Sequence, residues 1–257
     1  MTTGPTDARP LQVRVADDIR AKVETGEYAP GQQIPTLDEL AATHLCSLTA
    51  VRKAVDLLRQ QGILITKQGK GTYVRERPRA RRHGMDRYSR AKWSSGTAVL
   101  IAEAAAQGLE ADQLMRFIGT APAPAEVAER LGIKQGAPVH VRRRTTLIDG
   151  RPNQLADSYY ELALADAVPA LKEENTGPGG GFARIEEAGY RLARIREETT
   201  IRMPAGPETT ALKLPAGTPV ASLIRTVHDT EGHPIEVMLA VIAGDMVAFD
   251  YDFPVPD

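Results

Sequence analysis

The stretch from Thr36 to Val74 limits what this chain can fold into more than any other. Thr36-Leu37-Asp38-Glu39 spells a capping box, in which the Thr hydroxyl accepts from the amide three residues on and the Glu carboxylate reaches back. A helix therefore starts there, and Pro35 keeps anything helical from running into it. The apolar pattern of Leu37, Leu40 and Ala41 breaks at His44-Leu45-Cys46, and Ser47 offers a second N-cap. Beyond it Val51, Ala54, Val55 and Leu58 recur at helical spacing and share one buried stripe, leaving Thr49, Arg52, Lys53, Asp56 and Gln60 outward. Ile63-Leu64-Ile65 and Thr72-Tyr73-Val74 are β-prone runs joined through Gln68-Gly69-Lys70-Gly71, whose glycines permit turn dihedrals.

Helix, tight turn, helix and hairpin in that order predict a winged helix-turn-helix. The second helix has what a recognition helix needs: its free amides and dipole favour phosphate, and Arg52 can donate twice to guanine in the major groove. Ser47, Leu48, Thr49 and Lys53 stand beside Arg52 at the same end. Outward charges also suit an ordinary solvated helix, so the hairpin decides between the two. A tip of Gln68, Gly69, Lys70 and Gly71 can lie against a phosphodiester backbone or dip into the minor groove.

A formal net charge of −1 over 257 residues looks wrong for a DNA binder until it is divided along the chain. Residues 1–75 carry ten Lys/Arg against eight Asp/Glu, 76–92 carry seven against two, and the remainder fifteen against twenty-three. One nucleic-acid face on an acidic body has this distribution. With 42% hydrophobic residues the chain can build two modest cores. No run approaches the roughly 20 apolar residues of a membrane span, and Met1 to Arg9 holds no signal segment, so a cytoplasmic location is expected. The lone Cys46 fits a small buried residue in the turn, and the five histidines show no metal-ligand spacing. No metal and no cofactor are expected.

The spaced motifs Gly26-Glu27-Tyr28-Ala29-Pro30-Gly31-Gln32-Gln33-Ile34-Pro35, Thr49-Ala50-Val51-Arg52-Lys53-Ala54, Gln61-Gly62-Ile63-Leu64 and Gln68-Gly69-Lys70-Gly71-Thr72-Tyr73-Val74 occur in one order. Together they resemble the N-terminal domain of GntR-family transcription regulators over roughly residues 10 to 75. The resemblance implies DNA contacts at Thr36, Ser47, Thr49, Arg52, Gln68 and Gly69. Two positions depart from the family: Asp38 and Leu48 stand where relatives usually place Arg. More of the contact then falls to Arg52, Lys53, the wing and apolar contact from Leu48 with a thymine methyl.

Leu11, Val15, Ile19 and Val23 predict a helix ahead of this domain, ended at Gly26. After it, residues 76–92 hold Arg77-Pro78-Arg79-Ala80-Arg81-Arg82-His83-Gly84 without apolar periodicity and suggest a solvated basic hinge. From Trp93 strands dominate: Leu114–Gly119, then Val139–Leu147 and Gln154–Tyr160 around Asp149-Gly150, then Arg194–Arg202, Val220–Asp229, Ile235–Ile242 and Val247–Phe253. Short helices are expected at Pro124–Leu131, Phe182–Ala188 and Glu208–Leu214. The unit Leu131-Gly-Ile-Lys-Gln-Gly-Ala-Pro-Val139, Arg144, Asp149-Gly-Arg-Pro152 returns as Leu214-Pro-Ala-Gly-Thr-Pro-Val220, Arg225, Glu231-Gly-His-Pro234. An internally duplicated antiparallel α+β domain follows.

That duplicated unit resembles the UTRA effector-sensing domain of the HutC-type branch of the GntR family, whose fold is similar to chorismate lyase. The resemblance covers about residues 93–257. It implies a small-molecule effector, often anionic, on the sheet between the halves, with Arg144 holding an anion and Glu236 reaching polar groups. Tyr159 on the second strand of the hairpin joins the expected effector set, as do Gly180 and Gly181, whose amides precede the Phe182 helix. Relatives often carry Tyr-Arg-Gly-Asp near the end, where this chain has Ile242-Ala243-Gly244-Asp245.

The expectation is thus an α+β chain in three parts: 1–75 a winged helix-turn-helix, 76–92 a basic linker, and 93–257 an effector and dimerisation domain of chorismate-lyase-like fold. Its function would be that of a homodimeric repressor on a pseudo-palindromic duplex operator, released by an effector. Two other readings stay open on the sequence. One is an enzyme of chorismate-lyase-like fold, although no catalytic residues stand out. The other is a weakly specific plasmid or chromatin factor.

Overall fold

The structure is a computed structural model and describes residues 9–76, 80–84, 86–90 and 99–252. The start of the chain, parts of the expected linker and the expected strand end at Phe253 lie outside the described residues. The described chain forms two compact units, one of residues up to 76 with Pro215–Thr218, the other from residue 80 onward.

In the first unit α1 (Leu11–Glu24), α2 (Leu37–Thr43) and α3 (Leu48–Gln60) precede the hairpin of β1 (Leu64–Lys67) and β2 (Gly71–Val74). The capping box forms as its residue types require: Thr36 Oγ1 accepts from the Glu39 amide at 3.3 Å and Glu39 Oε2 accepts from the Thr36 amide at 2.7 Å. Ser47 caps α3 by accepting from the Ala50 amide at 3.3 Å. The expected stripe of α3 closes the core: Val51, Ala54, Val55 and Leu58 pack with Val15, Ile19, Leu40 and Leu64. Burying each Leu or Ile there stabilises by about 1.5–3 kcal/mol. The wing is tied back, since Val74 donates to Gln32 O and Ile34 to Thr72 O, both at 2.9 Å.

The second unit is built on one antiparallel sheet in the order β4 (Ala111–Pro122), β5 (Pro138–Ile148), β6 (Arg151–Glu161), β9 (Pro234–Ala243), β8 (Val220–Asp229), β7 (Leu192–Arg202). The β5–β6 turn falls at Asp149 and Gly150, whose φ of 47° and 72° are those of a type I′ hairpin. The sequence repeat becomes a local twofold axis. In the β6–β9 register Ala156 faces Ala240, Asp157 faces Leu239 and Ser158 faces Met238, so rotation about the Asp157–Leu239 pair exchanges the halves. The same bulge recurs on each side, between Thr146 and Leu147 and between Val227 and His228. One face of the sheet packs on α5 (Ala125–Leu131) through Val127, Val139, Val141, Tyr159 and Val237. Over the other lie α6 (Leu162–Ala167) and α7 (Gly180–Glu187), with Tyr160, Leu164, Leu171 and Ile185 in their core. Helices α4 (Val99–Ala105) and α8 (Gly206–Ala211) complete the unit.

The basic run departs from its expected role as a solvated hinge. Ala80–His83 form β3, which pairs in parallel with β10 (Val247–Asp250), and a 3-10 turn follows at Asp86–Tyr88. Ala80, Arg82 and Arg87 are buried, so residues 80–84 and 86–90 belong to the second unit rather than to a linker. Other element ends shift by a few residues; the helix expected at Phe182 begins at Gly180, and the one expected at Glu208 begins at Gly206.

Between α2 and α3, Leu45 sits in the left-handed region at φ 50° and is 92% exposed. A left-handed L-residue costs roughly 1–2 kcal/mol, partly offset in glycine by its greater unfolded-state freedom. Leu45→Gly should therefore stabilise the first unit by about 0.5–1 kcal/mol. Thermal melting followed by circular dichroism checks this, and a lower melting temperature would refute it.

Candidate nucleic-acid interface and ligand cavity

On the first unit Thr36, Ser47, Leu48, Thr49, Arg52, Lys53, Gln68, Gly69, Lys70 and Gly71 are all exposed. Arg52 and Lys53 project from the solvent side of α3, directly after its N-terminal turn, and neither has an ion-pair partner among the described residues. Leu48, 42% exposed, is the apolar group at the same end. At the wing tip the Tyr73 hydroxyl donates to Lys70 O at 2.8 Å and Lys67 Nζ lies 4.6 Å from the Tyr73 ring centroid. That ring holds the tip in shape while its lysines face water. A helix fixed through its apolar stripe, with free cations at one end and a basic wing, can present donors to base edges and phosphates together.

The second unit holds a cavity of about 500 Å³, open to solvent on one side, over the sheet face that carries α6 and α7. Its floor follows from strand register. Arg142 faces Ser158 across β5–β6, Ser158 faces Met238 across β6–β9, and Met238 faces Arg225 across β9–β8. Tyr160 and Glu236 each stand two residues along the same strands, from Ser158 and Met238, and so share that face, and Arg144 lies two residues beyond Arg142. Glycines of the loop before α7 line the rim; Gly177, Gly179 and Gly180 take φ of 85°, 77° and 73°, which side chains disfavour.

At the centre Glu236 is 1% exposed and fully engaged. Arg225 Nη2 donates to its Oε2 at 2.7 Å, the Tyr160 hydroxyl to its Oε1 at 2.8 Å, and Ser158 contributes a further hydrogen bond. Burial works to raise this carboxyl, but Arg225 and then Arg144, with the Ser158 and Tyr160 hydrogen bonds, outweigh it and hold it below the usual carboxylate range. The same burial, with Glu236 adjacent, pushes the Tyr160 hydroxyl up. Arg144 Nη2 donates to Ser158 Oγ at 2.7 Å. Arg142 Nη1 donates to the carbonyls of Leu171, at 2.6 Å, and Glu173, while Nη2 donates to Glu174 O at 3.1 Å, which anchors the glycine loop. Five arginines, Arg82, Arg87, Arg142, Arg144 and Arg225, thus line one cavity. Such a site suits a small molecule bearing an acid group.

A model of the UTRA domain matches residues 106–248, and a model of bacterial regulatory proteins of the gntR family matches residues 11–74. The chain belongs to the gntR family of bacterial regulatory proteins. An uncharacterized HTH-type transcriptional regulator of Streptomyces coelicolor is 32% identical, covering 95% of this chain and 92% of its own. The crystal structure of PhnF from Mycobacterium smegmatis shares the fold at a TM-score of 0.57 and 24% identity, over 94% of this chain and all of that one. Its effector domain alone matches at 0.52 and 26%, over 62% of this chain and 96% of that one. The protein is a DNA-binding transcription regulator with a GntR helix-turn-helix domain and an α+β UTRA domain. No described helix is long and apolar enough to cross a membrane.

Of the expected effector residues in the UTRA domain, the cavity gathers Arg144, Gly180, Gly181 and Glu236. Tyr159 is a correction. It lies on the opposite face, packed with Val141 and Val237 behind α5, because successive strand residues alternate sides, and Tyr160 is the tyrosine over the cavity. Arg142 and Arg225 were missed although signals existed: Arg142 shares a face with Arg144 by period two, and Arg225 is the repeat mate of Arg144. Arg82 and Arg87 carried no such signal.

Replacing the central carboxylate leaves Arg225 buried without a counter-charge, so Glu236→Gln should cost about 3–5 kcal/mol at neutral pH in urea unfolding. The carboxyl is depressed in the folded state, so its stabilisation is complete above the ordinary value near 4.3 and is lost as pH falls through the folded value. Stability of the variant should accordingly fall less than the parent's between about pH 5 and 3.

Proposed function

We propose that this regulator is a homodimeric repressor that holds a pseudo-palindromic operator and is released by a small anionic effector. The observation that carries the DNA half is the free Arg52–Lys53 pair on an α3 locked to the core by its other side. Thr36, Ser47, Leu48, Thr49, Gln68, Gly69, Lys70 and Gly71 complete the contact surface, with Arg52 reading a base and the wing following phosphates. A single winged domain covers few base pairs, so two copies about one helical turn apart are needed for useful affinity and discrimination. The site of action is the cytoplasm, where duplex DNA and metabolites meet.

The effector half rests on the arginine-lined cavity. Arg225 is neutralised by Glu236 and Arg142 is occupied by backbone carbonyls, whereas Arg144 donates to a neutral hydroxyl and keeps its charge available. Arg144 is therefore the cation that takes the acid group of the ligand, with Tyr160, the Gly181 amide and the Gly180 backbone, whose own N–H donates to Gly177 O, around the remainder. An effector acts by binding one arrangement of the protein better than another.

Selection of binding sites from random duplex DNA, followed by anisotropy titration at fixed salt, tests the proposal. Arg52→Ala should weaken the selected site by about 1–3 kcal/mol and relax preference at one position; unchanged affinity and preference would remove Arg52. Binding of random duplex nearly as tightly as the selected site would make the protein a sequence-tolerant DNA binder instead. Arg144→Ala should keep operator affinity and lose release by the effector that a thermal-shift screen identifies. Normal release of that variant would place the ligand elsewhere.

A further inference from the structure

The twofold axis of the sheet turns Arg144 onto Arg225 and Gln154 onto Glu236. All four line the cavity. On one side of the axis a buried carboxylate neutralises the arginine; on the other the equivalent position holds an amide of the same size and no charge. The half around Arg144 and Gln154 thus keeps an excess positive charge where its twin keeps none.

Arg87 adds to the excess. It is 5% exposed and lines the same cavity, and its Nε and Nη1 are buried without a hydrogen-bond partner among the described residues. Its only ion pair among the described residues is Nη2 with Glu103 at 3.5 Å, and Glu103 also accepts from the His83 amide at 2.7 Å. Arg87 and Gln154 moreover line one small void of about 20 Å³ together with Asn153, whose Nδ2 is likewise buried and unpartnered. Three buried donors without an acceptor among the described residues, beside an amide where the twin half has a carboxylate, suit the oxygens of an anion. By contrast Arg82 is satisfied by Glu197 and the Tyr88 hydroxyl.

Building on the reading of this cavity as the effector site, we propose that Arg87, Gln154 and Arg144 form one acid-group subsite for a phosphate-like or carboxylate headgroup. The headgroup supplies the acceptor that Arg87 lacks. Because Arg87 sits in the 3-10 turn that follows β3, a bound headgroup that fills its Nε and Nη1 adds to the single ion pair with Glu103 and strengthens the seating of residues 80–84 and 86–88. Effector binding and the seating of 80–88 are therefore one coupled event.

The test uses the full chain and inorganic phosphate at constant ionic strength, with calorimetry for affinity and amide hydrogen exchange for residues 80–88. Phosphate should bind the parent and slow exchange in 80–88. Arg87→Gln should weaken phosphate by at least about tenfold, the scale of a lost charged hydrogen bond, and phosphate should no longer slow exchange there. Gln154→Glu restores the carboxylate of the twin half; it should weaken phosphate to a similar degree while slowing exchange in 80–88 with no phosphate present. Arg144→Gln separates the two levels of the argument. If Arg144→Gln abolishes binding while Arg87→Gln and Gln154→Glu bind as the parent does, the cavity reading stands and the subsite is overturned. If the parent shows no phosphate binding, or Arg144→Gln binds unchanged, the cavity reading falls and the subsite with it.

Discussion

Everything on the sheet of the UTRA domain depends on β6 and β9 pairing in the one register that sets Asp157 opposite Leu239. A slip by one residue would turn Tyr160 and Glu236 to the α5 side and Tyr159 and Val237 to the cavity. The registry is protected because both strands are buried on both faces and because the carboxylate of Glu236 is saturated only in that arrangement, by Arg225 from β8 and Tyr160 from β6. A buried charge with all its acceptors filled is a poor source of net stability but a strong penalty on every alternative.

The two units follow different rules for placing charge. In the GntR domain the cations ride on a helix whose position is fixed by apolar contacts, so Arg52 and Lys53 need no partner in the free protein. In the UTRA domain four of the cavity arginines, Arg82, Arg142, Arg144 and Arg225, are held by a carboxylate, a hydroxyl or a carbonyl. The near-neutral net charge of the whole chain hides both arrangements.

Local signals made the first domain legible. Thr36, Glu39 and Ser47 fix helix starts within a few residues of chain, and the apolar stripe of α3 states which side is buried. The duplicated motif likewise marks the α+β sheet and pairs Arg144 with Arg225 in the sequence itself. What the sequence concealed lay in long-range partners. The basic run after Glu76 has no pattern of its own because what makes Ala80–His83 a strand is β10, far along the chain, and what buries Arg82 and Arg87 is Glu197 and Glu103. The tyrosine was misplaced by one residue because β6 is buried on both sides, so alternation gives no phase there.

A sheet made of two matched halves needs only one of them to keep its internal salt link. With Glu236 and Arg225 securing the architecture, their counterparts are released from that duty and can vary at little risk to folding. Change in ligand preference over evolutionary time should consequently concentrate on one half of the duplicated unit, while the other stays fixed as its keel.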